Sequence, residues 1–122
     1  MNDPLFSIVI PVHNRAGYLM QAVKSALAQE FDSYEVLVVD DGSTDGGADA
    51  VEDLGDGRVS VHRLSRGGAP AARNAGVERA RGRFMVWLDS DDYLEPGVLE
   101  AYAEALCECP KAEVIYGRII LA

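Results

Sequence analysis

Short apolar runs alternate along this chain with segments of helical periodicity. The apolar runs have the length of buried strands and cover residues 6–12, 34–39, 59–64, 84–88 and 114–120. Between them, apolar spacing and small residues predict helices over residues 15–29, 48–54, 70–80 and 97–107. This alternation predicts an α/β fold, in which a mostly parallel sheet carries helices on both faces.

Two single residues carry local predictions. Asn14 stands directly before the first helical segment, where an amide side chain is suited to an N-cap. Trp87 lies within the fourth apolar run, and the simplest interpretation places its ring in the core. We therefore expect Asn14 to cap the first helix and Trp87 to be buried.

The length and the charge limit the class of protein. The 122 residues suffice for one compact domain, and no linker-like segment divides them. The formal net charge of −9 disfavours nucleic acid as a partner, because a phosphate backbone binds a Lys/Arg surface. An anionic small ligand would need a cation or a local basic cluster to offset this field.

The sequence favours a cytoplasmic location. Cys107 and Cys109 are separated only by Glu108, a spacing that is poor for a disulfide, so we interpret both as reduced thiols. The N-terminus has no basic region ahead of an apolar stretch, and no apolar run approaches the ~20 residues needed to cross a bilayer. Attachment of a longer parent protein to the cytoplasmic face of a membrane stays open.

Polar clusters follow three of the predicted strands. They occupy residues 13–15 after the first strand, residues 40–41 after the second and residues 89–92 after the fourth. In an open α/β sheet, ligands bind outside the carboxyl ends of the strands, where the strand order reverses. With the order 3-2-1-4 plus a fifth strand, the first and fourth strands are neighbours at that point. We expect the three clusters to line one crevice.

Three carboxylates crowd into the segment Asp89-Ser90-Asp91-Asp92, directly after an apolar strand. Like charges at this spacing repel each other unless a cation offsets them. Mg²⁺ and Mn²⁺ take carboxylate oxygens, and Mg²⁺ is usually held by one or two carboxylates together with substrate phosphates. The alternative is a solvated loop in which Asp92 caps the next helix. We favour a metal site that handles a phosphate-bearing ligand.

The motif at Asp40 and Asp41 has two interpretations. With Gly42 and Ser43 it has the composition of a turn that also caps a helix. Its position opposite the other clusters favours a binding role, in which an Asp accepts a hydrogen bond from a base or holds a ribose hydroxyl.

The segment at residues 66–76 is rich in Gly and Ala but contains no dinucleotide or P-loop fingerprint, which counts against a dehydrogenase and a P-loop NTPase. Its small residues predict a helix that packs close to the sheet. Arg73 is a polar addition to that helix, and it either reaches a phosphate or base or forms a surface salt bridge.

Taken together, these motifs resemble the N-terminal half of the inverting family-two glycosyltransferases, which have the Rossmann-like GT-A fold. The similar segments cover residues 7–15, 35–45, 67–76 and 82–92. The resemblance implies one GT-A domain over residues 1–122 that binds a nucleoside-diphosphate sugar. The implied donor is a UDP-sugar, from which a hexose passes to the hydroxyl of a saccharide or lipid-linked acceptor, with inversion, in polysaccharide biosynthesis.

The resemblance also assigns roles to individual residues. Those that would line the nucleotide pocket are Pro11, His13, Asn14 and Arg15, although the family often has Tyr where His13 stands. Asp41 would bind the uracil or other base, with Asp40 beside it, and Arg73 would contact the nucleotide. In the D-x-D motif, Asp89 or Ser90 would face the ribose, and Asp91 would bind the Mn²⁺ or Mg²⁺ that bridges the diphosphate.

In this family the general base lies in the C-terminal half, whereas this chain stops at Ala122. We therefore expect a donor-binding half that is catalytically incomplete, with its general base beyond Ala122. An exposed edge of the sheet can pair with a second copy of the chain, so a homodimer is a further alternative. The alternatives are a metal-dependent nucleotide-binding module without catalysis and a nucleotidyltransferase. The latter needs a Gly-rich basic loop after the first strand, which residues 11–14 do not provide.

Overall fold

Strands and helices alternate along the chain in a computed structural model that describes residues 3–108. The elements are β1 (Phe6–Val12), α1 (Ala16–Leu27), β2 (Tyr34–Asp41), α2 (Gly47–Glu52), β3 (Val59–Leu64), α3 (Ala69–Arg79), β4 (Phe84–Trp87) and α4 (Val98–Glu108). The predicted fifth strand, residues 114–120, lies outside the described residues, as does Cys109.

The four described strands form a parallel sheet in the order β3-β2-β1-β4, which confirms the predicted strand order and the Rossmann-like fold. β1 is central: Val9 pairs with Leu37 of β2 on one side and with Trp87 of β4 on the other. Ile8, Val9 and Ile10 are inaccessible to solvent. Because β1 is buried on both faces, its apolar residues are continuous rather than alternating.

Helices cover both faces of the sheet, as predicted. Ile8 and Ile10 face a core that includes Leu19 of α1 and Leu99 of α4. Val9 faces the opposite core, which α3 closes with Ala72 and Ala75. The alternation of side chains along β1 therefore divides the apolar interior into two layers.

The helix α3 packs closely against the sheet because the residues on its inner face are small. A Cβ added to Gly76 would lie 2.7 Å from Val9 Cγ1, well inside van der Waals contact. The prediction that this segment packs closely against the sheet is confirmed.

Carboxylates at the two ends of β2 hold the loops on either side of α3. At the start of β2, Glu35 Oε2 accepts hydrogen bonds from Arg81 N–H at 2.7 Å and from Ser7 Oγ at 2.5 Å. Burial alone would raise the pKa of Glu35, but these donors and the Arg81 guanidinium outweigh it and lower the pKa below its usual value. At the end of β2, Asp41 accepts bonds from the loop that precedes α3.

The segment between β4 and α4 is fixed to α1 through two polar side chains. Ser25 Oγ accepts a hydrogen bond from Leu94 N–H at 2.9 Å. Gln29 is buried, donates to Glu95 C=O at 2.8 Å and accepts from Leu99 N–H at 3.2 Å. The loop that begins with the acidic cluster is therefore anchored at its far end.

Among the described helices, none combines the length and hydropathy needed to cross a bilayer.

Two local predictions are wrong. The N-cap of α1 is Arg15, whereas Asn14 adopts a left-handed φ of 50° and its side chain bonds elsewhere. Asn tolerates this conformation better than most residues, which explains its place in the turn. Trp87 is 45% exposed, since β4 is an edge strand of the described sheet and α3 covers it only partly.

Gly76→Ala tests the close packing of α3. The added methyl group meets Val9, so we expect the free energy of unfolding to fall by about 1–3 kcal/mol in urea denaturation. Gly17→Ala is the matched control, because Gly17 is also helical but has open space around it. There the better helix propensity of Ala should raise stability by up to about 1 kcal/mol. Equal changes in both variants would contradict the close approach.

Candidate functional site

The sheet opens between β1 and β4 near Pro11. The pairing of these strands ends at Val9 and Trp87, and the last bond runs from Leu88 N–H to Val9 C=O at 3.0 Å. The N–H and C=O groups of successive residues in a strand point to opposite sides. The backbone polar groups of Val9 face β4, and those of Pro11, two residues later, face the same side. Pro11 has no N–H group to donate to β4. At this level of the sheet β4 has ended, and the chain continues from β4 into the acidic segment at residues 89–92.

The carboxylates of Asp89, Asp91 and Asp92 converge after β4. Each offers an oxygen, and these oxygens all lie within 4.8 Å of one another. A hydrogen bond of 3.0 Å from Asp92 N–H to Asp89 C=O closes the turn that brings them together. The alternative in which Asp92 caps the next helix is not observed, since α4 begins only at Val98.

The electrostatics of this cluster fit a divalent cation. Partial burial raises the pKa of Asp92, and the negative charges of Asp91 and Asp89 raise it further. Three hard oxygen ligands on one short turn match the preferences of Mn²⁺ and Mg²⁺. The sequence interpretation named Asp91 alone as the metal ligand, whereas the geometry also brings in Asp89 and Asp92.

Asp41 is held in a fixed orientation at the end of β2. Its Oδ1 accepts a hydrogen bond from Gly67 N–H at 2.8 Å, and its Oδ2 accepts from Gly68 N–H at 2.9 Å and from Arg66 Nη1 at 2.8 Å. The Gly67 N–H contributes most to lowering the pKa of Asp41, and Gly68 and the Arg66 guanidinium add to it, which outweighs burial. The carboxylate is therefore charged and preoriented.

Asp40 takes part in the turn that follows β2. It is buried, and its Oδ1 accepts a hydrogen bond from Ser43 N–H at 3.1 Å. The strand was expected to end at residue 39, but β2 continues through Asp41 because Asp40 and Asp41 still pair with β3. The turn interpretation of this motif thus applies to Asp40, whose side chain closes the turn.

His13 and Asn14 join the loop after β1 to the loop after β2. His13 Nδ1 donates to Asp41 C=O at 2.8 Å, because a carbonyl can only accept. Asn14 N–H donates to Ser43 Oγ at 2.9 Å, and Asn14 Oδ1 accepts from Thr44 N–H at 2.8 Å. The two loops therefore form one hydrogen-bonded unit at the carboxyl edge of the sheet.

Two guanidinium groups of the predicted site remain exposed. Arg15 and Arg73 form no side-chain hydrogen bond or ion pair with any residue between positions 3 and 108. The surface salt bridge that was the alternative for Arg73 is thus not observed there. Ser90 and Pro11 are half-buried. Residues 89–92 reach neither the loop after β1 nor the loop after β2 through a hydrogen bond within the described part of the chain.

Sequence reasoning missed Asp45. Its Oδ2 accepts a hydrogen bond from Ala16 N–H at 2.9 Å, and its Oδ1 accepts from Gly47 N–H at 3.1 Å. These N–H groups belong to the first residues of α1 and α2. The hydrogen bond from Gly47 to Asp45 could have been predicted, because an Asp two positions ahead of a helix is a common capping residue. The hydrogen bond from Ala16 to Asp45 carries no such signal, because it joins residues 29 positions apart.

Residues 7–120 match the family described as glycosyl transferase family 2. The glycosyltransferase GlyG of Streptococcus pneumoniae is 34% identical over 117 residues, which are 93% of this chain and 38% of that protein. A glycosyltransferase of Haemophilus influenzae is 40% identical over 103 residues, which are 82% of this chain and 41% of that protein. The matched residues thus cover less than half the length of these curated relatives.

Solved structures have the same fold. Residues 1–349 of TarS from Staphylococcus aureus, in complex with UDP-GlcNAc, superpose with a TM-score of 0.81 at 30% identity. This match covers 96% of this chain and 37% of that one. The mannosyltransferase PcManGT from Pyrobaculum calidifontis, in complex with GDP-Man and Mn²⁺, gives a TM-score of 0.76 at 25% identity over 87% of this chain and 33% of that one.

Asp41→Asn tests the preoriented carboxylate through the pH dependence of stability. A carboxyl whose folded pKa is depressed stabilises the fold above its unfolded pKa, near 3.8, and this contribution is lost as the pH falls through the lower folded pKa. We expect the variant to lose about 2–3 kcal/mol at pH 7, because the amide cannot accept every bond. In urea titrations, its deficit against the wild type should shrink below pH 3.8.

Asp53→Asn is the control for this measurement. Asp53 is exposed beyond α2 and its carboxylate forms no hydrogen bond within residues 3–108. We expect a change within about 0.5 kcal/mol at every pH. A deficit of Asp41→Asn that stays constant from pH 7 to pH 2 would contradict the role assigned to the Asp41 charge.

Proposed function

The chain belongs to glycosyl transferase family 2, and from that premise we propose that it binds the nucleoside-diphosphate sugar from which such an enzyme transfers a sugar. One observation carries the proposal. The preoriented Asp41 and the three-carboxylate cluster after β4 lie at the same edge of the sheet, on either side of the central strand β1. That edge is where α/β folds of this kind hold ligands.

We propose that Asp41 binds the base and that uracil is the preferred base. A carboxylate has about four lone-pair sites, and Asp41 already uses three for Gly67, Gly68 and Arg66. The Asp41 side chain is only 3% exposed, whereas Arg66 is 59% exposed, so Arg66 is the partner that an incoming base imide would displace. A UDP-sugar donor agrees with the complex of TarS with UDP-GlcNAc.

The diphosphate would lie among the exposed cations and the acidic cluster. Arg15 and Arg73 offer guanidinium groups that bind phosphate oxygens well, and they offset the net charge of −9 locally. Pro11, His13 and Asn14 would form the wall of the nucleotide pocket beside them. Within the D-x-D segment, Asp89 or Ser90 would face the ribose.

Asp91, with Asp89 and Asp92 beside it, would hold Mn²⁺ or Mg²⁺. The bound ion supplies charge neutralisation for the nucleoside diphosphate as it leaves the sugar. The complex of PcManGT with GDP-Man and Mn²⁺ supports Mn²⁺ as a candidate. These three carboxylates would therefore serve the diphosphate of the donor rather than the acceptor.

The complete reaction would be displacement at the anomeric carbon by an acceptor hydroxyl, with inversion and release of UDP. We propose that this chain provides the donor half of a hexosyltransferase of polysaccharide biosynthesis. The general base and most acceptor contacts would come from sequence outside this chain. Glu100, Glu104 and Glu108 are exposed on α4 and make poor substitutes. The cytoplasmic location and the homodimer stay predictions.

A second candidate is a metal-dependent nucleotide-binding module that transfers nothing by itself. This candidate is favoured by the extent of the matches, which cover 38% and 41% of the length of the two curated relatives named above. Release of UDP from a UDP-sugar by this chain alone, in the presence of an acceptor, would exclude this second candidate.

Calorimetric titration of the chain with UDP tests the proposal. We expect binding in the presence of Mn²⁺ and a loss of affinity of about ten- to hundredfold when Mn²⁺ is removed with EDTA or when Asp91 is changed to Ala. Asp53→Ala, which removes an exposed carboxylate just after α2, should leave the affinity unchanged. UDP binding that is indifferent to Mn²⁺ and to Asp91→Ala would refute the metal site.

A further inference from the structure

The loops that follow β1 and β2 act as one unit because four hydrogen bonds join them. These bonds pair His13 with Asp41, Asn14 with Ser43 and with Thr44, and Ala16 with Asp45. All four link segments almost thirty residues apart in sequence. The relative position of the two loops is therefore set by side chains rather than by the sheet alone.

Asp45 differs from the other residues in these hydrogen bonds because it binds the first residues of two helices at once. Its two oxygens accept hydrogen bonds from Ala16 N–H and Gly47 N–H, and the N-cap residues of α1 and α2 provide no side-chain bond of their own. A carboxylate is favourable here because helix N-termini carry unpaired N–H groups and partial positive charge. A Cβ on Gly47 would lie 3.0 Å from Ala16 Cα, so the two helix starts are in contact.

Arg15 lies between two residues that these bonds hold in place. Asn14 precedes it and binds Ser43 and Thr44, while Ala16 follows it and binds Asp45. The Arg15 backbone is non-helical, with φ of −133° and ψ of 44°, and its guanidinium has no partner within residues 3–108. The direction of this side chain therefore depends on how its two neighbours are fixed.

We propose that Asp45 is a positioning residue for nucleotide binding. By holding Ala16, it fixes the direction in which Arg15 presents its guanidinium to the diphosphate. In this proposal Asp45 acts through the backbone rather than by contact with the ligand, because each of its oxygens accepts a hydrogen bond from a backbone N–H group. This inference rests on the proposed function, in which Arg15 contacts the donor.

Asp45→Asn tests the inference. The side chain keeps its size and one acceptor oxygen, but the new NH₂ group cannot accept a bond from a backbone N–H. We expect the Kd for UDP, measured by calorimetry with Mn²⁺, to rise about tenfold. Asp56→Asn is the matched control, because Asp56 also accepts bonds from a backbone N–H and from Arg58 but lies in the loop before β3, at the other end of the sheet. Its Kd for UDP should match the wild type.

A double-mutant cycle separates positioning from a general loss of structure. If Asp45 acts through Arg15, Asp45→Asn should cause no further rise in Kd in an Arg15→Ala background. Additive losses in the double variant would overturn the inference. So would an Asp45→Asn Kd equal to that of Asp56→Asn.

The failure of the inference can be told apart from the failure of the proposed function. Absence of UDP binding by the wild-type chain refutes the proposed function, whereas wild-type binding with no effect of Asp45→Asn refutes the inference alone. If circular dichroism shows that Asp45→Asn is unfolded, Asp45→Ser takes its place. The shorter Ser can still cap α2 at Gly47 but lacks the second oxygen for Ala16, so the same rise in Kd is expected.

Discussion

The parallel pairing of β1 with both β2 and β4 is the constraint on which the rest of the structure depends. It buries β1 on both faces and directs the carboxyl ends of three strands to one edge. Pro11 then ends the pairing with β4 without disturbing the pairing with β2, because it lacks only a donor on the β4 side. The missing N–H group of Pro11 and the end of β4 at Trp87 thus coincide at the opening of this edge.

Most of the fold could be predicted because its signals are local. The β-branched runs defined the strands, and the helical spacing between them implied parallel connections, which come in few topologies. The small residues of α3 predicted its close approach to Val9. Trp87 was misjudged because burial depends on what covers an edge strand, and hydrophobicity alone does not report this.

The details of the candidate site were less predictable because they rest on long-range hydrogen bonds. The acidic segment was visible in sequence, since three carboxylates in four positions are unusual. The partners of Asp41, by contrast, are backbone N–H groups of Gly67 and Gly68, which carry no side-chain signal. The bond from Ala16 to Asp45 likewise joins a backbone group to a residue of another loop. Such bonds follow from the assembled fold and not from residue spacing.

The two carboxylates of β2 constrain the length of α3. Glu35 and Asp41 stand a fixed distance apart on a rigid strand, and each holds a backbone N–H group at one end of α3. Adding or deleting a residue within α3 would break one of these attachments or rotate the small inner face of the helix away from Val9. Length variation among proteins built on this plan should therefore avoid α3 and accumulate in loops without such attachments at both ends.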